Sequence, residues 1–249
     1  MATAQKEMRM NFVKALVIAV SVFAAAHCGN FGIYDEATTN YVRIVRSGLN
    51  EWYPLNGNLS SRVGSADGTA TGAYSAGTNR NGESGKAVCL TASPVVELDF
   101  NSATFRTTAV TIGIWVKMNV LPAGLSSIIE KGSPITSMQG YRVRVNPGVA
   151  FPIDFGDGGG NEGNLSISST AVNTWYYFVF TFENGNGSYY VGKYGEDLIK
   201  VGVAPALYTP DANPVKVFSA NIDGCVDDIV NYNRALSFNE IKQNFLSVE

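Results

Sequence analysis

Fourteen residues near the C-terminus restrict this chain more than any other stretch: Gly224-Cys225-Val226-Asp227-Asp228-Ile229-Val230-Asn231-Tyr232-Asn233-Arg234-Ala235-Leu236-Ser237. Val226, Ile229 and Val230 are β-branched and fit a pleated, packed strand. That strand carries two adjacent carboxylates, Asp227 and Asp228, and runs into a turn. A helix then follows. Ser237 and Glu240 stand three apart, the spacing of a capping box. Phe238, Ile241, Phe245 and Val248 recur at intervals of three and four, which gives one apolar face.

The rest of the chain reads as short strands. Among 249 residues there are 26 Gly, 12 Tyr and 13 Phe, and only 16% are charged. Such a composition suits strands joined by tight turns rather than a helical protein. Residues 86–90 and 95–100 read as two strands about a Ser93-Pro94 turn, and residues 109–117 as a longer one. Residues 127–131 and 141–145 alternate as half-buried strands do. Residues 149–155 and 164–168 flank a loop, and residues 174–182 are the most apolar run. Residues 188–194 and 198–203 form a hairpin around Gly195-Glu196-Asp197. Ahead of these, Gly, Ser and Ala dominate up to Ser84, with turn signals at Asp67-Gly68, Thr71-Gly72 and Asn81-Gly82. That region predicts surface loops laid on a scaffold. Near ten strands and one helix predict an all-β fold, a two-sheet antiparallel jelly-roll sandwich with a short C-terminal helix packed across its end.

The closing stretch resembles the signature that ends laminin-G-like domains of the concanavalin A-like lectin/glucanase superfamily. There, Gly, a hydrophobic residue and Asp-Asp precede an alternating strand, Tyr-Asn-Arg-Ala-Leu-Ser and a short helix. Trp52-Tyr53-Pro54-Leu55-Asn56-Gly57-Asn58 resembles the Tyr-x-Phe-x-Gly-Asn opening of the same family. Residues 109–117 and 174–182 resemble its two Trp-bearing strands. The resemblance covers roughly residues 49–249. It implies a concanavalin A-like domain there, preceded by a leader over 1–28 and a tether over 29–48.

The resemblance also implies sites. In domains of this type a calcium ion joins the opening loop to the Asp-Asp strand. Asp227 and Asp228 match the strand part, and calcium takes carboxylates and carbonyls of this kind. The opening loop departs from the pattern: Leu59-Ser60-Ser61-Arg62-Val63-Gly64 stands where the family has Asn-Asp-x-x-Gly. Asp67 is the nearest acid, with Asn56, Asn58 and backbone carbonyls as helpers. Two other readings stay open: Arg62 replacing the ion by pairing with an Asp, or a buried carboxylate satisfied by turn amides. In the family the strands of Cys89 and Cys225 are neighbours, which implies a disulfide. The alternative is two small buried hydrophobes.

The N-terminus reads as an export leader. Lys6, Arg9 and Lys14 precede an apolar run over 15–26 that has the length of a signal-peptide core and is short for a membrane span. Two processing routes remain: cleavage after Ala26, or lipidation of Cys28, although Ala25 and His27 depart from the usual lipoprotein pattern. Either route places the protein in the periplasm, on an outer membrane surface or outside the cell. Membrane contact is then through a lipid at Cys28 alone.

Exclusions sharpen the functional reading. The only His is His27, in the leader, which removes Ser-His-Asp and Cys-His catalysis from the domain and argues against zinc. No phosphate-binding Gly loop with Lys-Ser/Thr occurs. Without the leader's Lys6, Glu7, Arg9 and Lys14 the net charge is about −5, and no basic cluster exists for nucleic acid. Related glucanases carry Glu-x-Asp-x-x-Glu along one strand. Glu97-Leu98-Asp99-Phe100-Asn101-Ser102 lacks the final Glu, and Glu97 and Asp99 read as the solvated face of an edge strand. Catalysis is therefore not expected.

A second loop, over 154–164, gathers Asp154, Asp157, Glu162, Asn161 and Asn164 among five Gly. It is a candidate to grip sugar hydroxyls or a cation, against the plainer reading of a hairpin tip. Tyr74, Tyr141, Tyr189, Tyr190 and Tyr208 are candidates to stack on sugar rings. The expectation is an exported binding protein of a bacterial surface, non-catalytic and carbohydrate-binding. The alternatives are protein-protein adhesion or envelope assembly, and a degenerate glycoside hydrolase.

Overall fold

The long strands at the centre of one sheet are apolar on both sides, and central strands of the other are apolar on one. The computed structural model describes residues 42–92, 96–100, 103–132, 139–145, 150–157, 162–168, 171–205, 212–219 and 222–248. In chain order its strands are β1 (Leu49–Tyr53), β2 (Thr69–Ala70), β3 (Ser75–Gly77), β4 (Ala87–Leu90) and β5 (Leu98–Phe100). Then come β6 (Val110–Val120), β7 (Ser126–Lys131), β8 (Gln139–Val145), β9 (Ala150–Asp157) and β10 (Glu162–Ser168). The last are β11 (Trp175–Glu183), β12 (Asn186–Lys193), β13 (Leu198–Pro205), β14 (Val215–Ser219) and β15 (Asp223–Tyr232), before helix α1 (Phe238–Phe245). The first sheet has the order β13-β12-β11-β6-β15-β4-β3, with β1 also pairing β15. The second has the order β10-β9-β8-β7-β14-β5-β2. The fold is the antiparallel jelly-roll sandwich that the strand pattern predicts.

The first sheet is apolar on both faces. Along β11, Tyr176, Phe178, Phe180 and Phe182 enter the core between the sheets, with Ile112, Ile114, Val116 and Met118 of β6. The alternate residues, Trp175, Tyr177 and Val179 with Trp115 of β6, form a second cluster on the outer side. This is why β11 reads as a continuous apolar run rather than an alternating one. The outer cluster must be covered, and α1 covers it. Phe245 stacks on Trp115 with ring centroids 5.2 Å apart, and Ile241 is fully buried. Burial of side chains this large stabilises by about 1.5–3 kcal/mol each. The helix starts at a formed capping box, Ser237 with Glu240. It therefore lies on the outer face of the first sheet, where the sequence suggested the end of the sandwich.

The chain ahead of β1 completes the cover. Ile44 and Val45 are buried in the same cluster. The Val45 N–H donates to Asn244 Oδ1 at 2.8 Å, and the Tyr232 hydroxyl donates to the Val45 carbonyl at 2.9 Å. The compact unit runs from Arg43 to Glu249, so packed chain begins ahead of the boundary at 49 read from the sequence.

The second sheet is different. Leu98 and Phe100 of β5, Val215 and Val217 of β14, Ile129 of β7 and Tyr141 and Val143 of β8 all point into the core. The residues between them are Asp99, Lys216, Glu130 and Arg142. Alternation puts those four on the outer face. One expectation is corrected here: β5 is not an edge strand, because it is paired on both sides, by β14 and β2.

Candidate functional site

Two places collect polar side chains: a buried centre on β15, and the outer face of the second sheet. The first begins with a break in pairing. One edge of β15 is shared by two strands, β4 against Gly224–Val226 and β1 against Ile229–Tyr232. On the opposite edge the register against β6 jumps between Asp227 and Val230, and Asp228 has a φ of 41°. This is a bulge. In a regular strand two successive side chains would point to opposite faces, but here both carboxylates meet one guanidinium. Arg80 Nη1 lies 2.5 Å from Asp227 Oδ2, and Nη2 lies 2.8 Å from Asp228 Oδ2.

The other contacts close the centre. Arg80 Nη2 also donates to the Ser247 carbonyl at 2.8 Å, and the guanidinium lies 4.8 Å from the Trp115 ring centroid. The Trp52 indole N–H donates to Asp228 Oδ1 at 2.9 Å. Burial pushes the Asp227 carboxyl well above its usual range, the Asp228 charge adds to this, and Arg80 opposes it. One cation serves two acids, so Asp227 holds a proton more readily than an exposed carboxylate does.

A calcium ion between Asp227 and Asp228 does not fit with Arg80 in place, since the guanidinium takes both the position and the charge. The other residues named for that ion engage elsewhere in the opening loop. Asp67 Oδ1 accepts from the Ser61 N–H at 2.8 Å, and the Asn56 carbonyl accepts from Asn58 Nδ2 at 3.2 Å. Among the described residues no group of three or more His, Cys, Asp or Glu side chains is placed to hold a metal. Arg62, the sequence candidate to pair with an Asp, lies instead 4.7 Å from the Trp52 ring centroid. Arg80 was not legible as the partner. It sits in a Gly- and Ser-rich loop, 147 positions from Asp227.

Beside this centre, Cys89 and Cys225 face each other across β4 and β15 and are joined in a disulfide. Gly77 of β3 lies against it; a Cβ there would stand 2.1 Å from Cys89 Sγ.

The second place is a row that crosses the whole second sheet. In register it reads Thr69 on β2, Asp99 on β5, Lys216 on β14, Glu130 on β7, Arg142 on β8, Asp154 on β9 and Asn164 on β10. Acid and base alternate from Asp99 to Asp154. At a strand spacing of about 4.8 Å, seven strands make a row of about 29 Å. Lys216 Nζ pairs with Glu97 Oε1 at 2.7 Å. That hydrogen bond raises the Lys216 ammonium above its usual range against partial burial, and the charges of Glu97, Asp99 and Glu130 add to it. By register Asp99, Lys216 and Glu130 stand side by side, and Glu97 joins them through its pair with Lys216. The first sheet's outer face is covered by α1; this face carries the polar groups.

Of the loop candidates, Asp154 and Asp157 lie on β9 and Glu162 on β10, with Glu162 paired to Gly156. Asn161 lies outside the described residues, as do Tyr208 and Cys28. The aromatic candidates divide. Tyr141 and Tyr189 are in the inter-sheet core, and Tyr190 is buried with its ring 6.0 Å from that of Phe238. Tyr74 is exposed. Among the described residues, the outward positions of the row are polar or charged, not aromatic.

Residues 90–242 match the laminin-G family described under the concanavalin A-like lectin/glucanases superfamily. The chain belongs to that family. No curated protein matches it in sequence. Solved structures with the same fold include domain 4 of an extracellular arabinanase from Geobacillus stearothermophilus in complex with arabinotriose. That match has a TM-score of 0.59 and 15% identity, covering 80% of this chain and 98% of that one. The binding domain of botulinum neurotoxin DC in complex with SialylT matches with a TM-score of 0.62 and 13% identity, over 81% of this chain and 52% of that one. Trypanosoma rangeli sialidase in complex with sialic acid matches with a TM-score of 0.60 and 16% identity, over 95% of this chain and 38% of that one. This laminin-G-like chain thus spans about half of the toxin domain and well under half of the sialidase. At these identities the likeness is one of fold.

Proposed function

We propose that this protein is an exported, non-catalytic carbohydrate-binding protein whose ligand lies across the outer face of the second sheet. The observation that carries the reading is the row from Thr69 to Asn164, polar at every register position, on the sheet whose outer face α1 does not cover. Carboxylates there accept from sugar hydroxyls, while Lys216, which is partly exposed, donates to them; Arg142 of the same row is buried. The carbohydrate complexes among the solved structures support the ligand class. Cations stand between successive acids, and Glu97 is held by Lys216; such groups suit holding hydroxyls better than moving a proton. Export rests on the leader sequence and agrees with a disulfide, which persists in oxidising compartments.

A glycan array probed with the full exported chain tests this, run once with calcium and once with chelator. Selective binding to a subset of glycans is expected. A blank array from protein shown to be folded would overturn the reading in favour of protein-protein adhesion.

A further inference from the structure

We infer that the row on the second sheet takes a neutral glycan chain and discriminates against glycans carrying sialate, uronate or sulfate groups. This rests on the carbohydrate-binding reading above and narrows it to a substrate class. The reason is charge compensation. Lys216 is paired with Glu97 and faces Asp99 and Glu130 in register on either side. Arg142 stands between Glu130 and Asp154 in register. Neither Arg142 nor Arg144 is without a partner. Of the other described cations next to this sheet, Lys131 is buried and donates to the Asn213 carbonyl, and Arg106 donates to the Ala212 carbonyl. Among the described side chains the acids Glu97, Asp99 and Glu130 match the bases Lys216, Arg142 and Arg144 in number, so no cation is in excess.

An anionic sugar needs a cation that is not already engaged, ideally a guanidinium free to bind its carboxylate in a bidentate fork. Bringing one to this face would place it beside carboxylates and take an existing pair apart. A neutral hydroxyl asks for neither. It can accept from an ammonium and donate to a carboxylate that stay paired with each other. Asp99, Lys216 and Glu130 offer acceptor, donor and acceptor in turn, while Arg142 is buried, so a chain of sugars laid across these strands meets both kinds of partner. Affinity should accordingly rise with chain length.

The test compares neutral oligosaccharides with matched ones bearing sialate, uronate or sulfate, on one array, with the full chain. Neutral glycans should bind, longer ones better. Their affinity should change by less than about twofold from 0.1 M to 1 M salt, although the screening length falls from about 10 Å to about 3 Å over that range. The variant Glu130→Gln leaves Lys216 and Arg142 with one fewer acid between them and should gain signal on the anionic set; Asp99→Asn is the second variant should the first not fold. Preference of the wild type for anionic glycans, weakening steeply with salt, would overturn this inference and leave the carbohydrate reading standing. A blank on both sets would overturn both.

Discussion

Nη1 of Arg80 lies 2.5 Å from Oδ2 of Asp227, a carboxylate 147 positions further along the chain and all but inaccessible to solvent. The contact joins the opening loops to the final strand. Through the Ser247 carbonyl it also fixes the end of the chain beyond α1. Three segments distant in sequence are thus tied at one guanidinium, where the family resemblance leads one to expect a metal ion.

Removing that guanidinium leaves two buried acids without their cation. Arg80→Met should therefore cost about 3–5 kcal/mol, the usual penalty for breaking a buried pair. For a domain of this size that is a fall in Tm of roughly 10 °C. The triple variant Arg80→Met/Asp227→Asn/Asp228→Asn should regain a good part of it. Chelator should leave the wild-type Tm where it is; a chelator-dependent drop, abolished by Asp228→Ala, would show that an ion shares the centre after all.

The disulfide closes a loop of 136 residues between β4 and β15. Its loss should destabilise the protein by about 2–5 kcal/mol. Thiol titration under denaturing, non-reducing conditions should find no reactive group in a Cys28→Ser chain. Two reactive thiols in freshly exported protein would mean that the bond is not formed.

Gly192 of β12 lies beneath α1, and a Cβ there would stand 2.4 Å from Phe245 Cε2. Gly192→Ala should push the helix from its seat and cost about 1–3 kcal/mol, as overpacking does. Thermal melts would read this directly, and an unchanged Tm would show that α1 can shift at little expense.

Glu240 carries the pH dependence. Its hydrogen bond with Arg234, helped by the N–H and hydroxyl of Ser237, holds its carboxyl down at about 2 from an ordinary 4.5. The folded state binds this proton less readily than the unfolded state, so the contribution is present above pH 4.5 and is lost as pH falls towards 2. The pair is partly exposed, and the effect should be about 0.5–1 kcal/mol. Glu240→Gln should be less stable than wild type at pH 7 and equal to it near pH 2. A constant gap across that range would contradict the assignment.

Much of the fold was legible because the pattern of each strand reports how many of its faces are covered. Tyr141 to Val145 alternate, with Tyr141, Val143 and Val145 in the core, but Ser127 to Lys131 do not: a register shift between Ser127 and Ile129 buries both Ile128 and Ile129, and Lys131 is buried as well. Residues 174–182 do not alternate, because Tyr177 and Val179 pack outward under α1 while Phe178 and Phe180 pack inward. The closing motif located β15 and the capping box. The partner of Asp227 was not legible, because nothing in Asn79-Arg80-Asn81-Gly82 marks a loop that reaches across the sheet. The polar row was hidden for a related reason. Asp99, Lys216, Glu130 and Arg142 come from four separated segments, and only strand order makes them neighbours.

The most direct test of the binding face is to reverse one charge within the row. Glu130→Lys puts a third cation between Lys216 and Arg142 while leaving the core residues Ile129 and Val143 unchanged. Titration calorimetry of wild type and variant against a glycan selected on the array is the measurement. The account predicts at least about a tenfold loss of affinity (about 1.4 kcal/mol) with the fold intact. Unchanged affinity in a folded variant would contradict it and place the ligand elsewhere on the molecule.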